Sequence, residues 1–190
     1  MVRPEAEVRL VFYFVSGAVR SGKSEWAERM AIELSPNSVR LYLATARAAD
    51  PEMRRRVALH QASRSERGFC TLERERDLAP VASRIPEGAT VLLECLGTWV
   101  ANEMFDPAPT PGGEAEPAAL VADRVLEAVH VLLRRAQNLL IVSNDLFSDG
   151  VLYDAATEEY LRALGGLHVV LAREADHAVE CVCGLARFAR

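Results

Sequence analysis

Lysine is almost missing from this chain: of its 22 basic residues, Lys23 is the single lysine and the rest are arginine. Aromatic residues are also scarce, at 6% of 190 residues. No apolar run approaches the roughly 20 residues that a membrane-spanning helix needs. Basic residues are outnumbered by 27 acidic ones, and the net charge of −5 argues against a nucleic-acid-binding surface as the main business. The four cysteines, Cys70, Cys95, Cys181 and Cys183, lack the spacing of a zinc site. Nor does Met1-Val2-Arg3-Pro4-Glu5 have the shape of a signal peptide. These shortages predict a reduced, cytoplasmic protein. Alternation in the strand-like run around Cys181 and Cys183 predicts that both thiols share one face as packing groups.

Against that background one stretch stands out. The β-rich run Val11 to Ser16 feeds into Gly17-Ala18-Val19-Arg20-Ser21-Gly22-Lys23-Ser24, and a helical pattern begins on its last residues. This is Gly-x-x-x-x-Gly-Lys-Ser between a strand and a helix, the setting of a phosphate-binding loop. Gly17 and Gly22 let successive backbone N–H groups turn toward phosphate oxygens. Lys23 reaches the terminal phosphates, Ser24 is placed to ligate Mg²⁺, and the helix N-terminus favours anions. The lone lysine sharpens the assignment, because a compact ammonium does a job that a planar guanidinium does not. The chain reads as a nucleotide-binding protein.

Strand-like runs recur at Val8 to Ser16, Ser38 to Ala44, Thr90 to Cys95, Asn138 to Ser143 and Ala178 to Cys183. Helical patterns fall between them at Ser24 to Leu34, Pro51 to Arg64, roughly Pro117 to Gln137, and from Ala155 to Leu164 or beyond. Such alternation implies right-handed βαβ crossovers. The expected fold is α/β and P-loop NTPase-like: a mostly parallel central sheet with helices on both faces and a C-terminal antiparallel edge, where Gly184 closes a hairpin. One domain spanning 1–190 is the expected organisation. The segment Asp106 to Gly113 reads as a surface loop. Leu167-His168-Val169-Val170-Leu171 is ambiguous, since propensity favours strand while its flanks suit a long helix.

A phosphate-binding loop needs a carboxylate on a neighbouring strand to hold Mg²⁺. Glu94 ends the run Val91-Leu92-Leu93 and precedes a turn, Cys95-Leu96-Gly97-Thr98, at the carboxyl edge where ligands of open α/β sheets bind. Asn144-Asp145 occupies the same edge from another strand, although Asn-Asp also simply makes turns. In the helix beginning at Asp50, Met53, Val57 and His60 recur at helical spacing. By pattern alone His60 is a core histidine, yet a neutral imidazole near a nucleotide also serves as a nucleophile toward phosphorus. Arg64 and Arg67 follow and suit phosphate binding or plain surface exposure.

Together these pieces resemble the adenosylcobinamide kinase / adenosylcobinamide-phosphate guanylyltransferase family of cobalamin biosynthesis. The loop from Gly17 to Ser24 is similar to the family's Gly-Gly-Ala-Arg-Ser-Gly-Lys-Ser. Tyr42-Leu43-Ala44-Thr45 resembles Tyr-Ile-Ala-Thr. Asp50, Glu52, Met53, Arg56, Val57 and His60 follow Asp-x-Glu-Met-x-x-Arg-Ile-x-x-His. Thr71-Leu72-Glu73, Leu92-Leu93-Glu94-Cys95 with Thr98 and Asn102, and Val142-Ser143-Asn144-Asp145 continue the match in order. The resemblance implies a bifunctional enzyme that phosphorylates adenosylcobinamide with ATP or GTP. It then transfers GMP from GTP, through a histidine, to the cobinamide phosphate. It makes His60 the GMP carrier, puts Ala44, Thr45, Ala46, Arg64 and Glu73 near the nucleotide, and puts Ser24 and Glu94 at Mg²⁺. It further implies a homo-oligomer, possibly a trimer, with small-molecule substrates and no nucleic-acid partner. The residues alone also allow a P-loop kinase of another small molecule, or a non-catalytic nucleotide-binding relative. The chain departs from the family pattern at Ala18, across Leu146 to Tyr153, and at Gly165 to Val169, the latter two in the half expected to handle the corrinoid.

Overall fold

A computed structural model describes residues 10–47, 55, 58, 62–105, 116–147 and 150–189. In chain order they form β1 (Val11–Gly17), α1 (Lys23–Leu34), β2 (Arg40–Ala44), β3 (Phe69–Glu73), a 3₁₀ helix (Ala79–Arg84), β4 (Thr90–Glu94) and α2 (Leu96–Phe105). Then come α3 (Ala118–Leu133), β5 (Asn138–Asn144), α4 (Ala155–Glu174), β6 (His177–Val182) and β7 (Leu185–Phe188). The strands make one seven-stranded sheet in the order β3-β2-β4-β5-β1-β6-β7. Every pairing is parallel except β6 with β7.

Alternation along the strands divides the core between two faces. Phe12, Phe14, Leu43, Leu93 and Ile141 point to the side covered by α2, α3, α4 and the 3₁₀ helix. Tyr13, Val15, Tyr42, Leu92 and Leu140 point to the other, against Ala27 and Ala31 of α1. The central strands β4 and β5 are buried on both sides, which explains their unbroken apolar runs. Each fully buried leucine there contributes roughly 1.5–3 kcal/mol relative to exposure. Because β1 to β6 run parallel, their carboxyl ends collect at one edge. Gly17 lies opposite Asn144, and Ala44 lies opposite both Glu73 and Glu94.

The expected α/β architecture and the antiparallel closing hairpin are present, and four local expectations are corrected or completed. Phe69–Glu73 is a strand: it is the outer strand of the sheet, half exposed, so its apolar signal is weak. Cys95 to Thr98 does not end in a turn but opens α2, whose Leu96, Trp99 and Val100 are buried at helical spacing. The ambiguous run at 167–171 is helical. Leu164, Leu167 and Leu171 bury one stripe of α4, which starts at Asp154, whose side chain accepts from the Thr157 N–H at 3.0 Å. Cys181 and Cys183 do not share a face: Cys181 is buried, while Cys183 is exposed in the β6–β7 turn with φ 50°. The strand ends at Val182, so the turn takes Cys183 out of the alternation. The Asp106–Gly113 segment and His60 lie outside the described residues.

Candidate nucleotide site at the carboxyl edge

The loop after β1 has the backbone that phosphate binding demands. Arg20 takes φ 61° and Gly22 φ 90°, left-handed conformations of the kind that let successive backbone N–H groups converge on an anion. Gly17 is required for space: a Cβ there would lie 2.5 Å from both the Cys181 carbonyl oxygen and Ser21 Oγ. The β6–β7 turn props the loop from outside, with the Gly184 N–H donating to the Ser21 carbonyl at 2.9 Å. Ala18 is exposed, so the methyl that replaces a glycine hydrogen meets no packed neighbour. The Ser21 hydroxyl is buried and has no hydrogen-bond partner among the described residues. An orphaned donor inside such a loop fits an anionic ligand.

Lys23 and Ser24 are the first two residues of α1. Lys23 is 7% exposed, and its ammonium donates to the Ala18 carbonyl at 3.2 Å, within its own loop. Ser24 Oγ donates to Glu94 Oε1, joining residues 70 apart in sequence. The other oxygen, Oε2, accepts the Tyr42 hydroxyl at 2.8 Å. Burial, then the negative charge of Glu94, push the Tyr42 phenol far above its ordinary range, so it stays a neutral donor. The Arg64 guanidinium stacks 3.6 Å above the Tyr42 ring and pairs with Glu28 at 3.3 Å. Glu28 also holds Arg67 at 2.7 Å. Arg67 is thus engaged outside the loop, whereas Arg64 lines the site.

Of the residues singled out from sequence, Ala44, Ala46, Arg64, Glu73, Glu94 and Asn144 line one cavity of about 220 Å³ together with Tyr42, Cys95 and Thr98. Thr45 lies behind it, fully buried, its hydroxyl donating to the Cys95 carbonyl at 2.9 Å and accepting the Cys95 N–H at 2.8 Å. A polar cavity of about 760 Å³ adjoins through Ala46 and Glu73 and is rimmed by Arg74, Glu75, Arg76, Asp77 and Glu103. Asp145 acts in its turn: its carboxylate accepts the Phe147 N–H at 3.2 Å, and its own N–H reaches the Gly17 carbonyl at 2.9 Å. An apolar groove of about 490 Å³ between α3 and α4 shares none of these residues.

Ser24 and Glu94 present two hard oxygen donors side by side. Among the described residues no cluster of three His, Cys, Asp or Glu forms a metal cage. That donor set fits Mg²⁺, which takes one or two protein oxygens and completes its shell with substrate phosphate and water. Sequence reasoning missed Tyr42 and Thr98 as site residues. The signal for Tyr42 was available, since it stands two positions before Ala44 and alternation puts both on one face. None of the described helices is long and apolar enough to cross a membrane.

The family model described as "Cobinamide kinase / cobinamide phosphate guanyltransferase" matches residues 13–188 of this chain. A bifunctional adenosylcobalamin biosynthesis protein, CobP of Pseudomonas aeruginosa, is 34% identical over 173 residues, covering 90% of this chain and 92% of the relative. The CobU protein of Salmonella typhimurium, described as bifunctional in the same way, is 30% identical over 182 residues, 90% of this chain and 95% of its own. Escherichia coli CobU is 38% identical over a shorter stretch of 104 residues, 54% of this chain and 53% of its own. With a family match running from β1 to the last strand and the loop, Ser24 and Glu94 meeting at one sheet edge, this chain belongs to the cobinamide kinase / cobinamide phosphate guanyltransferase family.

Proposed function

We propose that this chain phosphorylates the terminal hydroxyl of adenosylcobinamide with a nucleoside triphosphate and transfers GMP from GTP to the resulting phosphate. The observation that carries this reading is the meeting of Ser24 with Glu94 beneath the phosphate-binding loop, within a full-length family match. In the first reaction the substrate hydroxyl attacks the γ-phosphorus, the bond to the β-phosphate oxygen breaks, and the hydroxyl proton is released to water. Lys23 and the loop N–H groups take up the charge gathering on the phosphate oxygens. In the second, a nitrogen of His60 attacks the α-phosphorus of GTP and pyrophosphate leaves. A phosphate oxygen of the corrinoid then attacks the same phosphorus, the P–N bond breaks, and the histidine is regenerated neutral.

Mg²⁺, held by Ser24 and Glu94, would neutralise phosphate charge. Tyr42 orients Glu94 by its hydroxyl, and the stacked Arg64 faces the same cavity as a second cation for phosphate. Ala44, Ala46 and Glu73 border the space left for the nucleoside. Glu94→Gln keeps the shape but removes the charge. The expected result is a roughly 10–100-fold rise in the Mg²⁺ concentration needed for half-maximal nucleotide binding, read by titration. An unchanged Mg²⁺ requirement would take Glu94 out of the metal site.

The reading is tested by incubating the wild-type protein with Mg²⁺ and GTP labelled at the α- or the γ-phosphate. The α-label should become protein-bound through a bond that acid breaks and alkali spares, as a phosphoramidate requires, and the γ-label should not. GTP binding without any such label would remove the histidine route and leave a kinase or a nucleotide-binding protein.

A further inference from the structure

Two strand exits meet at one side chain of α2. Asn102 Nδ2 donates to the Thr45 carbonyl at 2.8 Å and to the Glu75 carbonyl at 3.1 Å, 57 and 27 residues away in sequence. Thr45 is in turn locked to β4: its N–H donates to the Glu94 carbonyl at 3.1 Å, and its hydroxyl is bonded twice to the Cys95 backbone. The chain leaving β2, the chain leaving β3 and the end of β4 therefore share one junction. Both hydrogens of the amide are used, and its orientation is settled, since the amide oxygen turned this way would face two acceptors.

The helix carrying Asn102 is anchored independently of that junction. Leu96, Trp99 and Val100 are buried, and Glu103 pairs with Arg124 of α3 at 3.6 Å. Arg47 and Glu75 also span the two exits at 3.5 Å, but both are largely exposed and water screens such a pair. The last backbone bond between the two strands runs from the Arg74 N–H to the Ala44 carbonyl at 3.0 Å, and the Asp77 N–H reaches Glu103 of α2 at 2.6 Å; between those two points the Asn102 amide ties Thr45 to Glu75.

We propose that Asn102 is a positioning residue for the nucleoside of the bound nucleotide. It sets the β2 and β3 exits, where the chain runs on from Thr45 through Ala46 and from Glu73 through Glu75, at the separation a base and ribose need beside the phosphate-binding loop. This rests on the nucleotide reading above. Asn102 bonds the Thr45 and Glu75 carbonyls, away from the phosphate-binding loop, which is built on β1 and α1. Its loss therefore weakens the nucleoside side of the site and spares the phosphate side.

The experiment measures calorimetric affinity for Mg²⁺-GTP and for Mg²⁺-tripolyphosphate, with thermal midpoints, in the wild type, Asn102→Asp and Asn102→Ala. The aspartate keeps the shape but turns acceptors toward two carbonyls; the alanine removes the bonds. The expected result is a GTP affinity lower by about tenfold or more, as misplacement of binding groups produces, with tripolyphosphate binding unchanged. Equal weakening of both ligands, unchanged GTP binding, or loss of the folded state in both variants would overturn the assignment in favour of a purely structural bond. A wild type that holds GTP no better than tripolyphosphate would overturn the nucleotide reading itself, and the assignment with it.

Discussion

Lys23→Arg is expected to lower corrinoid phosphorylation and GTP-dependent protein labelling together, each by about 10²–10³-fold, the usual cost of removing one well-placed group that stabilises transition-state charge. The side chain is almost wholly inside the loop, and its ammonium reaches back to the Ala18 carbonyl. A planar guanidinium is wider and carries its charge spread over three nitrogens. Binding phosphates means exchanging one neutral carbonyl for anionic oxygens, a move the flexible lysine stem permits without displacing the backbone. The check is steady-state kinetics of both reactions, with the thermal midpoint as a control for folding. Retention of more than about a tenth of either activity, against the 10²–10³-fold loss that principle sets, would make the solitary lysine a compositional accident for that reaction.

His60→Ala should separate the two reactions. Labelling of the protein by α-labelled GTP is expected to fall by at least about 10³-fold, because alanine offers no nucleophile for the covalent intermediate. Corrinoid phosphorylation should stay within a few-fold, since on the proposed route no atom of His60 enters that step. In sequence His60 stands four residues before Arg64, whose guanidinium lies over Tyr42 and lines the cavity next to Glu94. Intact labelling in the variant would place the carrier elsewhere. Loss of both activities together would show that His60 serves the common nucleotide site rather than one reaction.

The two variants probe different kinds of evidence. Lys23 rests on a loop whose conformation is written locally: Gly17 and Gly22 stand where a Cβ would collide or strain the backbone, and the helix that begins at Lys23 follows without interruption. His60 rests on a motif match spread over eleven positions, from Asp50 to His60, in a chain whose family match runs over residues 13–188.

Local chemistry is what the amino-acid order determines by itself. The strand–loop–helix at Val11–Ser24 and the doubly buried runs of β4 and β5 are legible because they depend on neighbours close in the chain. Glu94 at a strand end is legible for the same reason. Where the local signal was faint, reading stopped short. β3 is a half-exposed outer strand, and α2 begins directly at the end of β4 with no linker to announce it. Tertiary structure alone decided which strand lies beside which, because periodicity reports the face a side chain takes and not the strand that flanks it. The order β3-β2-β4-β5-β1-β6-β7 brings Tyr42 to Glu94 across 52 residues and Ser24 to Glu94 across 70. The same pairing sets Asn102 against Thr45 and Glu75. A carboxylate held between two hydroxyls, and an amide bridging two strand exits, exist only after parallel pairing has closed those distances. No short window of the chain contains both partners.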